Sequence, residues 1–223
     1  MKVNQKTCNH LNESPIYAES GIYIAPHSDS SIVNNMAELV QSNFTDTDEN
    51  YASMELSEYR QNVLELQEKL CELEYNRKIA ETIQDHIRQE LDEEDFFIQT
   101  NTYLRAARPL TVNPEIEAIG WHRETFYGPN MEKSYNIWTP ILNVSDDNTL
   151  RFIPKSQLIP DHEIETSQYD EETTPRGSAS HKIGYQYSPK KIVSGVDLDH
   201  SEKMIVPNNC SSIFPGNLIH GAG

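Results

Sequence analysis

Basic residues are scarce in this chain, and their scarcity restricts the partners that it can bind. The 223 residues include 18 Lys and Arg against 35 Asp and Glu, which gives a formal net charge of -17. A protein that binds nucleic acid or an anionic lipid surface needs a net basic face to match the phosphate charge. The sequence therefore predicts neither nucleic acid nor a membrane as a main partner.

Cysteines and long hydrophobic runs are scarce as well. Cys8, Cys71 and Cys210 are widely spaced and form no Cys-x-x-Cys pair, so we expect no disulfide framework, no zinc knuckle and a reducing compartment. The first residues contain no apolar leader, and no run approaches the roughly 18 apolar residues of a membrane-spanning helix. These absences predict a cytoplasmic protein.

The residue pattern divides the chain into three parts. Residues 1–50 are polar and carry little periodicity, apart from short apolar stretches at 16–18 and 21–25 that suit one peripheral strand or contact. Residues 51–96 have helical periodicity, and residues 97–223 contain short β-branched and aromatic segments between turn residues. The predicted strands are residues 115–121, 134–142, 149–153, 191–193, 203–206 and 211–214. We therefore expect an α+β protein in which the helices and the β-rich part form one domain.

The helical part contains no proline or glycine and carries an apolar stripe. Leu56, Tyr59, Val63, Leu66, Leu70 and Leu73 recur at spacings of three and four, and a second register follows with Ile79, Ile83, Ile87 and Leu91. We predict helices that pack on the outside of a sheet. A coiled coil that forms a homodimer through this segment is the alternative.

Residues 155–190 are a long, polar and irregular stretch between predicted strands. Loops of this length in a compact domain usually border an active site or are disordered. Its aromatic and basic residues suit a lid over a polar metabolite such as a sugar or an amino acid: Tyr169, Arg176, His181, Tyr185 and Tyr187.

A histidine followed two positions later by an acid is half of a common iron site. Two imidazoles and one carboxylate bind Fe(II) on one face and leave positions for oxygen and an organic cosubstrate. The pattern begins at His27, His122 and His200, but only His122 follows an apolar, strand-like segment. Since residues i and i+2 of a strand share one side, we predict His122 and Glu124 as ligands, with Arg123 pointing away.

The third ligand is predicted near residue 220. A β-branched and aromatic run reaches the turn Pro215-Gly216, and a second short strand then ends in His220. Such a hairpin brings the late strand beside the early one. We therefore predict that His122, Glu124 and His220 form a catalytic metal site.

Four segments in this order resemble one known family: GWHRETFY at 120–127, NIWTPILNV at 136–144, NTLRFIPKS at 148–156 and FPGNLIHGAG at 214–223. They are similar to the phytanoyl-CoA dioxygenase-like branch of the Fe(II)/2-oxoglutarate-dependent oxygenases, and most to the bacterial members from carbohydrate or secondary-metabolite clusters. The resemblance implies a double-stranded β-helix, which is a jelly-roll or cupin-like barrel. It also implies Fe(II), 2-oxoglutarate and molecular oxygen, used to hydroxylate a C–H bond of a small molecule.

Further residues near these segments are candidates for binding small molecules. Asn136 and Trp138 share one face of a predicted strand, and with Arg151 they are predicted to bind the cosubstrate. Packing inside the barrel is an equal alternative for Trp138. Arg123 and Tyr127 are predicted to contact the substrate.

The sequence departs from the family pattern at three places. Glu124 stands where Asp is usual, Pro154-Lys-Ser-Gln157 replaces Pro-Gly-Ser-His, and no arginine follows the second histidine. A guanidinium is the usual partner of the distal carboxylate of 2-oxoglutarate. We therefore expect that the natural chain continues past Gly223 to a strand that carries this arginine, or that Arg123 or Arg151 serves instead.

Two other hypotheses remain open. A non-catalytic or degenerate jelly-roll module would bind a ligand without turnover, and the missing arginine favours it. A cupin-like isomerase or epimerase would use His122 as a base without a metal. Binding of ferrous iron and 2-oxoglutarate distinguishes these hypotheses from an oxygenase.

Overall fold

The structure is a computed structural model that describes residues 20–43, 54–91, 95–106, 120–167 and 190–222. The helices in this part of the chain are α1 (Ser31–Asn43), α2 (Leu56–Glu72) and α3 (Tyr75–Leu91). The strands are β1 (Tyr23–Pro26), β2 (Tyr135–Trp138), β3 (Leu150–Phe152), β4 (Glu165–Thr166), β5 (Ile192–Ser194), β6 (Glu202–Lys203), β7 (Cys210–Pro215) and β8 (His220–Ala222). The predicted combination of helices and sheets is confirmed. The predicted lid residues, and most of the predicted strand at 115–121, lie outside the described residues.

The described strands form three small antiparallel sheets. β7 is the centre of the first sheet and pairs with β1 and β2, while β3 is the centre of the second and pairs with β6 and β8. β4 and β5 form a separate ribbon. β7 and β8 thus follow each other in the chain but belong to different sheets. Among the described residues these sheets do not close, and the double-stranded β-helix stays a prediction.

The apolar stripe of α2 packs inside the chain. Tyr59, Val63, Leu66 and Leu70 are buried, and they share one cluster with α1, the start of α3 and Leu104. The stripe therefore has an intramolecular partner, and a homodimer through these helices stays a prediction. None of the described helices has the length and apolar composition needed to cross a membrane.

A break separates α2 from α3. Glu74 has a positive φ of 53°, in the left-handed region that few residues other than glycine adopt. The N–H of Leu73 donates to Lys69 O, and the N–H of Glu74 donates to Cys71 O, which ends α2 in a tight turn. The change of apolar register before Ile79 coincides with this break.

The helix α1 corrects the expectation that residues 1–50 carry little periodicity. Val33, Met36 and Val40 recur at spacings of three and four and are buried against α2 and α3. The Asp29 carboxylate accepts a hydrogen bond from the N–H of Ser31 at 2.9 Å, a typical contact at a helix start. The polar residues between these apolar positions concealed the helix.

α3 connects the helices to the first sheet. Its residues Ile83 and Ile87 pack with Ala25 of β1 and Ile213 of β7 in one buried cluster. β1 is an edge strand of this sheet, as expected for a peripheral strand in the apolar stretch at 21–25.

The segment after α3 returns along the α2–α3 hairpin. The Asn76 side chain donates hydrogen bonds to the carbonyls of Gln99 and Asn101, at 2.8 and 2.6 Å. The N–H of Leu104 donates to Gln67 Oε1 at 3.1 Å. The Tyr59 hydroxyl bonds to Ala106 O. Because hydrogen bonds hold Leu104 and Ala106 to the hairpin, the backbone of Arg105 between them is fixed.

Candidate metal centre

Backbone hydrogen bonds bring two distant parts of the chain together at the candidate site. The N–H of His122 donates to His220 O at 3.0 Å, and the N–H of His220 donates to His122 O at 2.9 Å. The N–H of Glu124 donates to Gly216 O at 2.6 Å. Residues 122–124 therefore run beside the β7–β8 turn, although they are far from it in sequence.

The side chains of His122, Glu124 and His220 meet at this place. One ligand atom from each lies within 4.8 Å of the other two, and His220 Nε2 is 3.8 Å from Glu124 Oε1. The centroids of the two imidazole rings are 4.4 Å apart. The three residues selected from the sequence thus form a group that can hold a metal ion.

Each imidazole is held by a backbone carbonyl through its Nδ1 atom. His122 Nδ1 lies 2.8 Å from Gly120 O, and His220 Nδ1 lies 3.0 Å from Leu218 O. A carbonyl oxygen only accepts, so Nδ1 carries the proton in the neutral ring and Nε2 keeps its lone pair. Metal-binding histidines commonly have this arrangement, which fixes both the tautomer and the ring orientation.

Burial controls the charge of all three side chains. It is the main cause that lowers the pKa of His122 well below its ordinary value, and it lowers the pKa of His220 to about 4. Burial raises the pKa of Glu124, while a hydrogen bond from Asn136 and the charge of Arg105 oppose this effect. Near neutral pH the imidazoles are therefore uncharged, as metal ligands must be. A cation beside Glu124 would favour its ionised form.

The spacing of the donor atoms fits a divalent ion after a small movement. Two donors at right angles around an ion, each about 2.1 Å from it, lie about 3.0 Å apart. The His220 Nε2 to Glu124 Oε1 distance of 3.8 Å exceeds this by less than about 1 Å, which side-chain rotation can close. Two neutral imidazoles and one carboxylate are suitable ligands for such an ion.

The side chains around the group are aromatic and amide-bearing. Phe214 packs edge-on against the His220 ring at 4.9 Å, and Tyr127 packs edge-on against His122 at 6.1 Å. Asn136 Nδ2 donates to Glu124 Oε1 at 3.3 Å. The structure therefore places Asn136 and Tyr127, both predicted to bind small molecules, beside the metal group.

Two other predicted binding residues have different surroundings. Trp138 packs against the cluster that contains Phe152 and Phe214, as the packing alternative anticipated. The β3–β8 register pairs Phe152 with His220, so the preceding Arg151 lies on the opposite face of that sheet. Its guanidinium donates to Ser201 Oγ and Ser201 O, at distances of 2.7 to 3.1 Å. The structure does not bring Arg151 to the metal group.

Arg123 is buried completely. Its guanidinium forms an ion pair with Asp161 and donates hydrogen bonds to the carbonyls of Ile159 and Asn217. Its side chain thus diverges from those of His122 and Glu124, as the strand geometry predicted, but it points into the protein and is held there by three acceptors.

Arg105 is a residue near the site that the sequence analysis missed. Its positive charge lowers the pKa values of His122, Glu124 and His220, so its guanidinium lies near all three. It also lies over the Tyr103 ring, with 5.5 Å from Cζ to the ring centroid. Arg105 belongs to none of the four motifs, and only the packing of residues 95–106 on the helical hairpin brings it here.

The two rejected histidine motifs have other environments. His27 contacts Thr82 Oγ1 through Nδ1 at 2.6 Å and Ser211 Oγ through Nε2 at 3.0 Å. His200 is exposed and contacts Asp197 at 2.6 Å. Both nitrogen atoms of His27 are therefore engaged by hydroxyls, and His200 has a surface partner.

The chain matches no protein-family model and no curated protein, and it matches no solved structure. The likeness of its four motifs to the phytanoyl-CoA dioxygenase-like oxygenases therefore stays a prediction. What the structure contributes is the convergence of two neutral imidazoles and one carboxylate in a buried position.

Proposed function

We propose that the protein is an Fe(II)- and 2-oxoglutarate-dependent oxygenase that uses molecular oxygen to hydroxylate a C–H bond of a small polar metabolite. The observation that carries this proposal is the group of His122, Glu124 and His220, with all ligand atoms within 4.8 Å. Two histidines and one carboxylate are the donor set of non-haem Fe(II) oxygenases. The family resemblance of the four motifs points to the same chemistry.

The residues of the chain have separate tasks in this proposal. His122 and His220 present Nε2 lone pairs, because their Nδ1 atoms are bound to carbonyls. Glu124 supplies the negative charge that offsets part of the charge of the ion, and Asn136 orients the carboxylate. Bound there, Fe(II) would activate molecular oxygen, with 2-oxoglutarate as the second electron donor, and so supply the oxidising chemistry that an unactivated C–H bond requires.

The aromatic side of the group keeps water away. Phe214 contacts the His220 ring, and Phe152 lies opposite His220 in the β3–β8 register. Both phenylalanines are buried, together with Leu218 and Met204. Apolar side chains that exclude water strengthen the attraction between the carboxylate and a cation, because little solvent screens the two charges.

The carboxylates of 2-oxoglutarate need a cationic partner, for which a guanidinium is well suited. Arg123 and Arg151 are held by Asp161 and Ser201. Arg105 is exposed, and its charge acts on all three metal-binding side chains. Within this proposal Arg105 is therefore the first candidate for the residue that binds a carboxylate of the cosubstrate.

A non-catalytic ligand-binding module is the second candidate function. The observation that favours it is the engagement of Arg123 and Arg151 within the protein, since both had been considered as anchors for 2-oxoglutarate. Such a module would bind a metal ion at the same group without turning over a cosubstrate.

Anaerobic titration with Fe(II), followed by 2-oxoglutarate, tests the proposal. We expect a weak visible charge-transfer band in the wild type, its loss in His220→Ala, and its retention in His200→Ala, which changes an exposed histidine. Admission of oxygen should then yield succinate. Iron binding without the band and without succinate would favour the ligand-binding module, and the absence of iron binding would contradict both functions.

A further inference from the structure

In the sequence, Arg123 lies between the candidate metal ligands His122 and Glu124, yet its side chain has no contact with solvent. It is 0% exposed and is the largest fully buried side chain among the described residues. Burying a guanidinium is costly unless it is paired and hydrogen-bonded. The acceptors around Arg123 therefore determine where the side chain lies.

The guanidinium of Arg123 joins two segments that flank the metal group. Nη1 donates to Ile159 O at 2.9 Å and to Asn217 O at 3.4 Å, and Nη2 forms an ion pair with Asp161. Asn217 belongs to the turn between β7 and β8, shortly before His220. One side chain thus connects the residues beside Glu124 to the turn that carries the other histidine.

Asp161 holds the chain on both sides of Glu124. Its Oδ1 atom pairs with Arg123 and also accepts a hydrogen bond from Thr125 Oγ1 at 3.0 Å. The turn is held as well, because Asn217 Nδ2 donates to Gln157 O at 2.9 Å. Rotation or sliding of the Glu124 backbone would break several of these contacts together.

We propose that Arg123 is a positioning residue that, with Asp161, sets Glu124 and His220 at the separation that a metal ion needs. This inference rests on the proposed metal site and replaces the predicted role of Arg123 in binding substrate. Arg123 touches no metal-binding side chain through a hydrogen bond in the structure. It acts through the backbone on either side of Glu124 and through the β7–β8 turn.

Charge and positioning predict opposite effects when Arg123 loses its charge. A positive charge near the group repels a metal cation, so its removal alone would tighten metal binding. Loss of the positioning contacts would instead weaken binding, by about 10- to 100-fold for residues that orient metal ligands. The direction of the change in dissociation constant therefore separates the two roles.

Titration of the full chain with Co(II), followed by its visible absorption, measures this constant. We expect Arg123→Gln to raise the dissociation constant by about 10- to 100-fold and Arg123→Lys to raise it less, since a lysine keeps the charge but lacks the planar fork. Arg105→Gln should lower it, because this substitution removes a positive charge that acts on all three metal-binding side chains and leaves the contacts of Arg123 in place. Arg77→Gln is the matched control, since Arg77 is an exposed residue of α3 that pairs with Glu74 and Glu81, and it should leave the constant unchanged.

Asp161→Asn provides a second route if the Arg123 variants do not fold. Asp161 is 56% exposed, so the substitution leaves the core intact, and we expect a dissociation constant about 10-fold higher. Glu163→Gln is its control, because it removes an exposed carboxylate from the same 3-10 turn and should have little effect. An equal effect of both acid variants would show that charge, and not positioning, is responsible.

The results distinguish this inference from the proposed function. If the wild type binds Co(II), His122→Ala abolishes binding, and Arg123→Gln binds as tightly as the wild type or more tightly, the positioning role is overturned and the metal site stands. If the wild type does not bind Co(II) at all, the metal site itself is wrong, and the positioning role falls with it.

Discussion

His122 and His220 are hydrogen-bonded to each other through their backbones in both directions, while their imidazole rings lie 4.4 Å apart. The two backbone bonds, of 3.0 and 2.9 Å, do not depend on the side chains. Truncation of either imidazole therefore leaves the connection between the two segments in place. Substitutions at these positions test metal binding without removing the local fold.

We expect His122→Ala and His220→Ala each to abolish tight binding of Fe(II). Removal of a ligand should lower the metal affinity by more than the roughly 10- to 100-fold that follows removal of a group that orients a ligand. His200→Ala is the control, because His200 is exposed and contacts Asp197. Iron content after anaerobic reconstitution measures the effect. A loss in His200→Ala as complete as in His122→Ala would show that the ligands are assigned wrongly.

Glu124 should contribute mainly through its charge. Glu124→Gln keeps the size of the side chain and the contact with Asn136 but removes the negative charge, so succinate formation should fall by at least about 100-fold. Glu124→Asp keeps the charge and shortens the reach by one methylene, and we expect partial activity. Equal losses in the two variants would mean that geometry dominates over charge at this position.

Gly216 allows the close approach of three parts of the chain. A Cβ atom there would lie 2.2 Å from Ser134 Oγ, 2.8 Å from Met131 O and 3.2 Å from Glu124 Cβ. Since Gly216 O also accepts the Glu124 N–H, we expect Gly216→Ala to shift Glu124 and weaken metal binding by about 10-fold or more.

Gly120→Ala is the matched control for this substitution, because among the described residues no atom outside its chain neighbours lies within 4 Å of its Cβ position. Its metal affinity should equal that of the wild type in the same Co(II) titration. If both alanine variants bind as the wild type does, the close packing at Gly216 has no role in placing Glu124.

The stability of the metal-free protein should decrease as the pH falls from neutral. An unfolded histidine titrates near pH 6.5, whereas burial lowers the pKa of His220 to about 4. Between these values the unfolded chain binds a proton that the folded chain does not, so acid favours unfolding. His122 acts in the same direction, and Glu124, with its raised pKa, opposes it.

Urea unfolding near pH 7.5 and near pH 5 measures this dependence. The contribution of His220 should amount to about 2 kcal/mol at the lower pH. His220→Gln removes the titrating group and should reduce the pH dependence by about that amount. Identical pH dependence in the variant and the wild type would contradict the lowered pKa of His220.

The three residues of the candidate metal group could be selected from the sequence because their local context differs from that of similar motifs. An apolar segment precedes His122, whereas His27 and His200 lie in polar stretches. The strand geometry was correct only in part, since Glu124 begins a 3-10 turn, Glu124–Phe126, and does not continue a strand. The bridge between His122 and His220 brings the ligands together in place of a long ladder.

The helical segment shows what local periodicity cannot indicate. Most of the stripe of α2 was predictable because helical spacing reflects burial on one face, although Leu73, which was assigned to the stripe, is 45% exposed. The turn at Glu74 was not predicted, although the apolar register changes before Ile79, because a non-glycine residue with positive φ carries no distinctive sequence signal. Arg105 was missed for a related reason, since long-range contacts of Leu104 and Ala106 with the α2–α3 hairpin determine its position.

The bridge between His122 and His220 also makes the metal ion a measure of how much of the protein is native. In an unfolded chain only His122 and Glu124 remain neighbours, and the third ligand is separated from them by a long loop whose closure is entropically costly. An ion that prefers the complete group therefore binds the native chain and shifts the folding equilibrium toward it by mass action. The metal content of a preparation, compared with its protein concentration, would then count correctly folded molecules, and chelation would raise the fraction that unfolds on heating.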